Sequence, residues 1–113
     1  MARYTLTARI RGKVTHERFD SARDALTELE RRGHALQGRA DADLVGGNLM
    51  RRFEPEQQVT ARLELRGPGR LRVGVDVRGD GTAVPFTGRT VRKQITQTGN
   101  ESAYDALRRV AAE

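Results

Sequence analysis

Cysteine and tryptophan are absent from this chain, and lysine, serine, histidine and aromatic residues are scarce. Each shortage removes a chemistry. Without cysteine there are no disulfides, no thiol nucleophile and no thiolate ligand for zinc. His16 and His34 are the only histidines, and neither stands in a cluster of metal-ligand spacing, so no metal is expected. Ser21 and Ser102 are the only serines, and each precedes an amphipathic segment. They read as helix caps rather than as activated nucleophiles, and the balance leans away from an enzyme. No glycine-rich loop stands between a strand and a helix, so a phosphate-cradling turn is missing and no cofactor is expected. Gly79-Asp80-Gly81 joins two strands instead, and the Arg78-Gly79-Asp80 tripeptide within it reads as a hairpin turn. Aromatic content is 4%, too low for the stacking platforms of single-strand nucleic-acid binders. No apolar run reaches the roughly 18 residues of a membrane helix. Residues 1–10 alternate polar with apolar, unlike a signal peptide, which points to a cytoplasmic chain with no membrane partner.

What is present fits one domain spanning 1–113, with a modest core: 36% of the residues are hydrophobic and 32% charged. The formal net charge is +6, and Lys13 and Lys93 are the only lysines, so arginine carries the basic balance. That balance suits a phosphate backbone, and it equally suits a GC-rich coding sequence. Acidic residues are interspersed throughout rather than gathered in one half.

Tyr4, Leu6, Ala8 and Ile10 alternate with polar residues, Gly12 offers a turn, and 14–19 returns as a second strand. Ser21 with Asp24 announces a helix whose buried stripe is Ala22, Ala25, Leu26 and Leu29. Glu28 and Arg32 are spaced to pair, Gly33 reads as the helix stop, and His34 as a partner of the helix dipole. Residues 34–56 read as a flexible connection or flap. Leu36, Ala40, Ala42 and Leu44 hint at a strand there, and Leu49, Met50 and Phe53 at a helical turn. Asp41 and Asp43 form a pair that a hard cation would accept, although two carboxylates alone make a poor site and a solvated loop is the simpler reading.

Val59, Ala61, Leu63 and Leu65, then Leu71, Val73, Val75 and Val77, give two further strands around Gly67-Pro68-Gly69. Residues 82–98 supply a third, with Val84 and Phe86 facing the core and a bulge or bend at Gly88, where the parity changes. Ser102 and Asp105 cap a last helix with Ala103, Ala106, Leu107, Val110 and Ala111 inward, and Asp105 is spaced to pair with Arg109. Residues 21–26 (SARDAL) return as 102–107 (SAYDAL), with looser echoes of Thr7-Ala8-Arg9 and Lys13 in Thr87-Gly88-Arg89 and Lys93. A related pair of strand-then-helix units would set the two helices side by side on one sheet face.

The expected fold is therefore an α+β two-layer sandwich: a mainly antiparallel sheet of about five strands with two helices on one face. Its order reads β-β-α-(β)-β-β-β-α. Arg62, Arg66, Arg70, Arg72 and Arg78 share the wet face of the meander, where they could lie along a nucleic-acid backbone or form an ordinary exposed surface paired with Glu64 and Asp76. Helix 21–33, three strands and helix 102–112 give an α-β-β-β-α order, and in that order the chain resembles the double-stranded RNA-binding domain. The resemblance implies phosphate contacts from a basic start of the last helix. Here that stretch is Gly99-Asn100-Glu101-Ser102, so the likeness is one of topology. Three functions follow in order. The first is a non-enzymatic interaction or regulatory domain acting through a protein partner or self-association. The second is nucleic-acid binding by the arginine face, and the third a small-molecule binder or enzyme using 34–56 as a flap.

Overall fold

Tyr4–Ile10 (β1) and Lys13–Phe19 (β2) form the expected hairpin, closed by Arg11 and Gly12 with φ of 51° and 80°. Two consecutive positive φ values match the type I′ turn favoured in two-residue hairpins. The structure, a computed structural model, describes residues 3–45, 59–88 and 91–112. The chain continues through Ala22–Val45 (α1), Val59–Arg66 (β3), Arg72–Arg78 (β4), Ala83–Thr87 (β5), Lys93–Gln94 (β6) and Ala103–Ala111 (α2). All six strands pair antiparallel in the order β2-β1-β3-β4-β5-β6, and this is an α+β fold. The sixth strand arises because 82–98 does not run through: the chain bends at Gly88, and only Lys93 and Gln94 return to pair with Thr87 and Phe86. No helix among the described residues is long and apolar enough to cross a membrane.

Both helices cover the same face. Leu6 and Ala8 of β1, Leu63 and Leu65 of β3, and Val73 and Val75 of β4 are buried in one cluster with Ala25, Leu26 and Leu29 of α1 and Ala106 and Leu107 of α2. Each fully buried aliphatic side chain contributes about 1.5–3 kcal/mol by leaving water, so the alternation seen in the sequence is what holds the layers together. The contacts between the helices run in opposite senses. Arg108 Nη1 meets Glu30 Oε1 at 2.6 Å, while Tyr104, one turn earlier in α2, lies against Gly33, one turn later in α1. A half-turn about an axis between β3 and β4 thus exchanges β1 with β5, β2 with β6 and α1 with α2.

Several expectations need correction. α1 does not stop at Gly33. A Cβ there would strike the Tyr104 hydroxyl and the adjoining ring edge, so this glycine serves close approach of the two helices rather than a left-handed cap. The helix runs on to Val45, which turns the suggested strand over 36–44 into helix and places Asp41 and Asp43 in it rather than in a loop. The rest of the presumed flap, including Gly46-Gly47, Leu49, Met50 and Phe53, lies outside the described residues.

His34 is accordingly mid-helix, 3.2 Å from Glu30 Oε2 and packed on the Tyr104 ring. The parity of β5 is the reverse of that expected. Gly74 pairs with Phe86 and Asp76 with Val84, so these two side chains lie on the helix-free face while Pro85 faces the core. Arg109 pairs with Glu101 at 2.9 Å, because the Asp105 carboxylate accepts from the Ser102 N–H in a reciprocal capping box. The predicted Glu28–Arg32 pair is present at 2.8 Å, and the Ser21 hydroxyl caps the Asp24 N–H at 3.1 Å.

Candidate nucleic-acid interface

The face of the sheet away from the helices is where the predicted arginines gather, and their register decides which of them act together. Direct cross-strand partners share a face, and adjacent strands lie about 4.8 Å apart. Thr5 pairs with Arg18 on one side and with Arg66 on the other, and Arg66 pairs with Arg72. Arg18, Thr5, Arg66 and Arg72 therefore form one row across four strands, about 14 Å long. Arg66 and Arg18 are exposed and Arg72 is half-buried. None of the three is in an ion pair among the described residues.

The next positions along the strands look quite different. Arg62 Nε and Nη2 grip the Asp76 carboxylate at 2.5 and 3.3 Å, with the pair directly opposite in the β3–β4 register. Glu64 receives Arg92 at 3.2 Å and Arg9 at 3.9 Å. Between these pairs lies Phe86, 5% exposed despite facing away from the core. Its ring rests over Gly74, where any Cβ would strike both the ring and the Leu63 carbonyl. The Arg62 and Arg92 guanidinia stand 5.7 and 5.5 Å from its centroid, within reach of a cation–π contact. Thr7 Oγ1 and His16 Nδ1, opposite one another on β1 and β2, are 3.0 Å apart.

The five arginines singled out from the sequence are thus divided. Arg66 and Arg72 stand side by side, and Arg70 is exposed in the turn that joins their strands. Arg62 is held by Asp76 and stacked on Phe86. Arg78 lies at the far end of β4, about 20 Å from Arg72 at the rise of a strand. Arg18 completes the row and was missed. The type I′ turn at 11–12 fixes the hairpin register and sets Arg18 opposite Thr5, but nothing in the alternation tells that β1 separates β2 from β3. Around this row the face carries Arg9, Arg62 and Arg92 against the carboxylates of Glu64 and Asp76, both already engaged. No group of three or more His, Asp or Glu side chains suited to a metal occurs among the described residues. Compared with protein families, curated proteins and solved structures, the chain finds no match in any of the three.

Proposed function

We propose that this protein is a non-enzymatic binding domain that takes the phosphate backbone of a nucleic acid on the helix-free face of its sheet. The observation that carries this reading is the row Arg18–Thr5–Arg66–Arg72, where three guanidinium groups line up without a carboxylate opposite. Like charges facing each other across strands destabilise a sheet by some tenths of a kcal/mol. An anion lying along the row relieves that repulsion, and planar guanidinium forks suit phosphate oxygens. The neighbouring carboxylates of Asp76 and Glu64 are already taken up by Arg62, Arg92 and Arg9, so neither neutralises the row. Sequence-independent contact is the expected mode, because the row offers charge and no bare aromatic surface for stacking.

The test is fluorescence anisotropy with labelled duplex RNA, duplex DNA and single strands over a salt series, beside an unrelated protein of similar charge. Three phosphate contacts on duplex DNA give a log–log salt slope of about −2.7. Changing Arg18, Arg66 and Arg72 together to Glu should abolish binding. The same charge change at Arg23, Arg39 and Lys93, which lie on α1 and β6, should leave most of it. Equal loss in both triple variants, or binding no tighter than the control protein's, would refute the reading.

A further inference from the structure

We propose that β2 is a self-association edge, through which two copies of the chain pair antiparallel and join their sheets about a two-fold axis at Thr15. The inference rests on the hairpin and its edge and is independent of the arginine row.

β2 stands at the end of the sheet and pairs with β1 alone among the described residues. Its seven residues keep an unbroken register with β1, without proline or bulge. In a two-residue hairpin the closing pair, here Ile10 with Lys13, exchanges both backbone hydrogen bonds. Lys13, Thr15, Glu17 and Phe19 therefore spend their N–H and C=O groups on β1, while Val14, His16 and Arg18 turn theirs outward. Such a row of open donors and acceptors is a template for another strand. Val14 adds an apolar side chain that is 43% exposed.

The residue pattern selects a second copy as the occupant. A two-fold axis perpendicular to the sheet keeps every residue on its own face, so the axis must pass through a single residue of β2. Centred on Thr15, the pairing sets Lys13 opposite Glu17 of the partner subunit, and Glu17 opposite Lys13 of the partner subunit, giving two opposite-charge pairs. Val14 then lies opposite His16 of the partner subunit. Centred on His16, Lys13 meets a phenylalanine and no opposite-charge pair forms. Centred on Glu17, that carboxylate faces itself. Centred on Val14, only three residues of β2 remain paired. Glu17 already carries Arg32 on the helix side, and its second oxygen is left for the lysine.

The absence of cysteine makes the register directly testable. Across the new seam Thr15 and its copy form a non-hydrogen-bonded pair with Cα atoms about 4.5 Å apart, within reach of a disulfide. Mild oxidation should therefore convert Thr15→Cys into a covalent dimer and leave His16→Cys uncrosslinked, since residue 16 sits two positions away from its copy. Sedimentation equilibrium of the wild-type chain between about 10 μM and 1 mM should show a monomer–dimer equilibrium. Lys13→Glu, which leaves the Glu17–Arg32 contact in place, should weaken it about tenfold. A wild-type chain that stays monomeric to about 1 mM overturns the proposal. So does equal crosslinking of the two cysteine variants, or a dissociation constant that Lys13→Glu leaves unchanged.

Discussion

At one end of the sheet, β1 and β2 are joined through two residues, and a single residue separates β2 from the Ser21 cap of α1. At the other end, β5 and β6 are joined through residues 88–92, and a longer segment leads from β6 to the Ser102 cap of α2. The parts correspond, down to a lysine at the head of each edge strand, but their finish does not. β6 pairs over two residues, and the segment after it is tied down by Glu101, which accepts from the Thr98 N–H at 2.9 Å and from Arg109. β2 keeps seven residues in line with nothing beyond them among the described residues. A sheet with one short, tied edge and one long, open edge has a direction in which it can grow.

The helices allow that correspondence to be broken by mutation. Leu26 and Leu107 hold matching places in the two capped segments, at 7% and 0% exposure. Leu107→Ala should cost about 3–5 kcal/mol and Leu26→Ala about 2–3, measured by denaturant unfolding, because the nine-residue α2 has fewer other anchors. Gly33→Ala should destabilise by about 1–2 kcal/mol. The added methyl overpacks Tyr104 by more than the roughly 1 kcal/mol gained in helix propensity. A stabilised Gly33→Ala would mean the two helices do not meet there. Ser102→Ala should cost about 1 kcal/mol and Ser21→Ala somewhat less, since only Ser102 has the reciprocal carboxylate contact.

The smallest effects are electrostatic and again fall on both halves. Burial, with the Glu30 carboxylate nearby, pushes the Tyr104 hydroxyl up to about 12 from 10.0. A phenol that keeps its proton in the fold and loses it when unfolded withdraws stability as pH rises from 10 towards 12, and Tyr104→Phe should flatten that part of a pH–stability profile. Hydrogen bonds from Arg31 and Arg32 hold the Glu28 carboxyl down at about 2, and Arg109 with the Thr98 N–H does the same for Glu101. Both favour the fold above their ordinary pKa near 4.5, and that contribution should fade as pH falls towards 2.

Strands β1 to β4 and both helix starts were legible because each depends on neighbours in sequence: parity for β1, β3 and β4, the Gly12 turn for β2, and a hydroxyl followed by a carboxylate for the caps. What could not be read depends on residues far apart. Gly33 has the look of a helix stop until Tyr104 is brought against it, and the Tyr104 hydroxyl, 2.6 Å from Gln37 Oε1, ties the extension of α1 down. Gln37 in turn donates to the Gly81 carbonyl at 2.9 Å, beyond the end of β4. Phe86 looks like core until Gly74 opens a seat on the other face. For the candidate site, Arg66 and Arg72 followed from parity around one turn. Arg18 did not, because the β1–β3 contact that carries it into the row joins segments separated by the whole of α1.

That long-range seam also governs how the molecule comes together. Arg66 meets Arg72 across six residues of chain, whereas Ile10 meets Ala61 across 51 (61 minus 10). At about 0.6 kcal/mol for each doubling of a closed loop, the wider closure costs about 2 kcal/mol more entropy. The β3–β4–β5 meander and the β1–β2 hairpin are local, whereas their docking along Leu6, Ala8, Leu63 and Leu65 must meet the wide loop closure before its contacts reward it, so topology makes it the slow step. Interactions already made in the rate-limiting step set the folding rate more than the unfolding rate. Trimming Leu6 should therefore slow folding, read from the folding limb of a denaturant series, while changing the unfolding rate little, which makes docking of the N-terminal hairpin the event that times the whole fold.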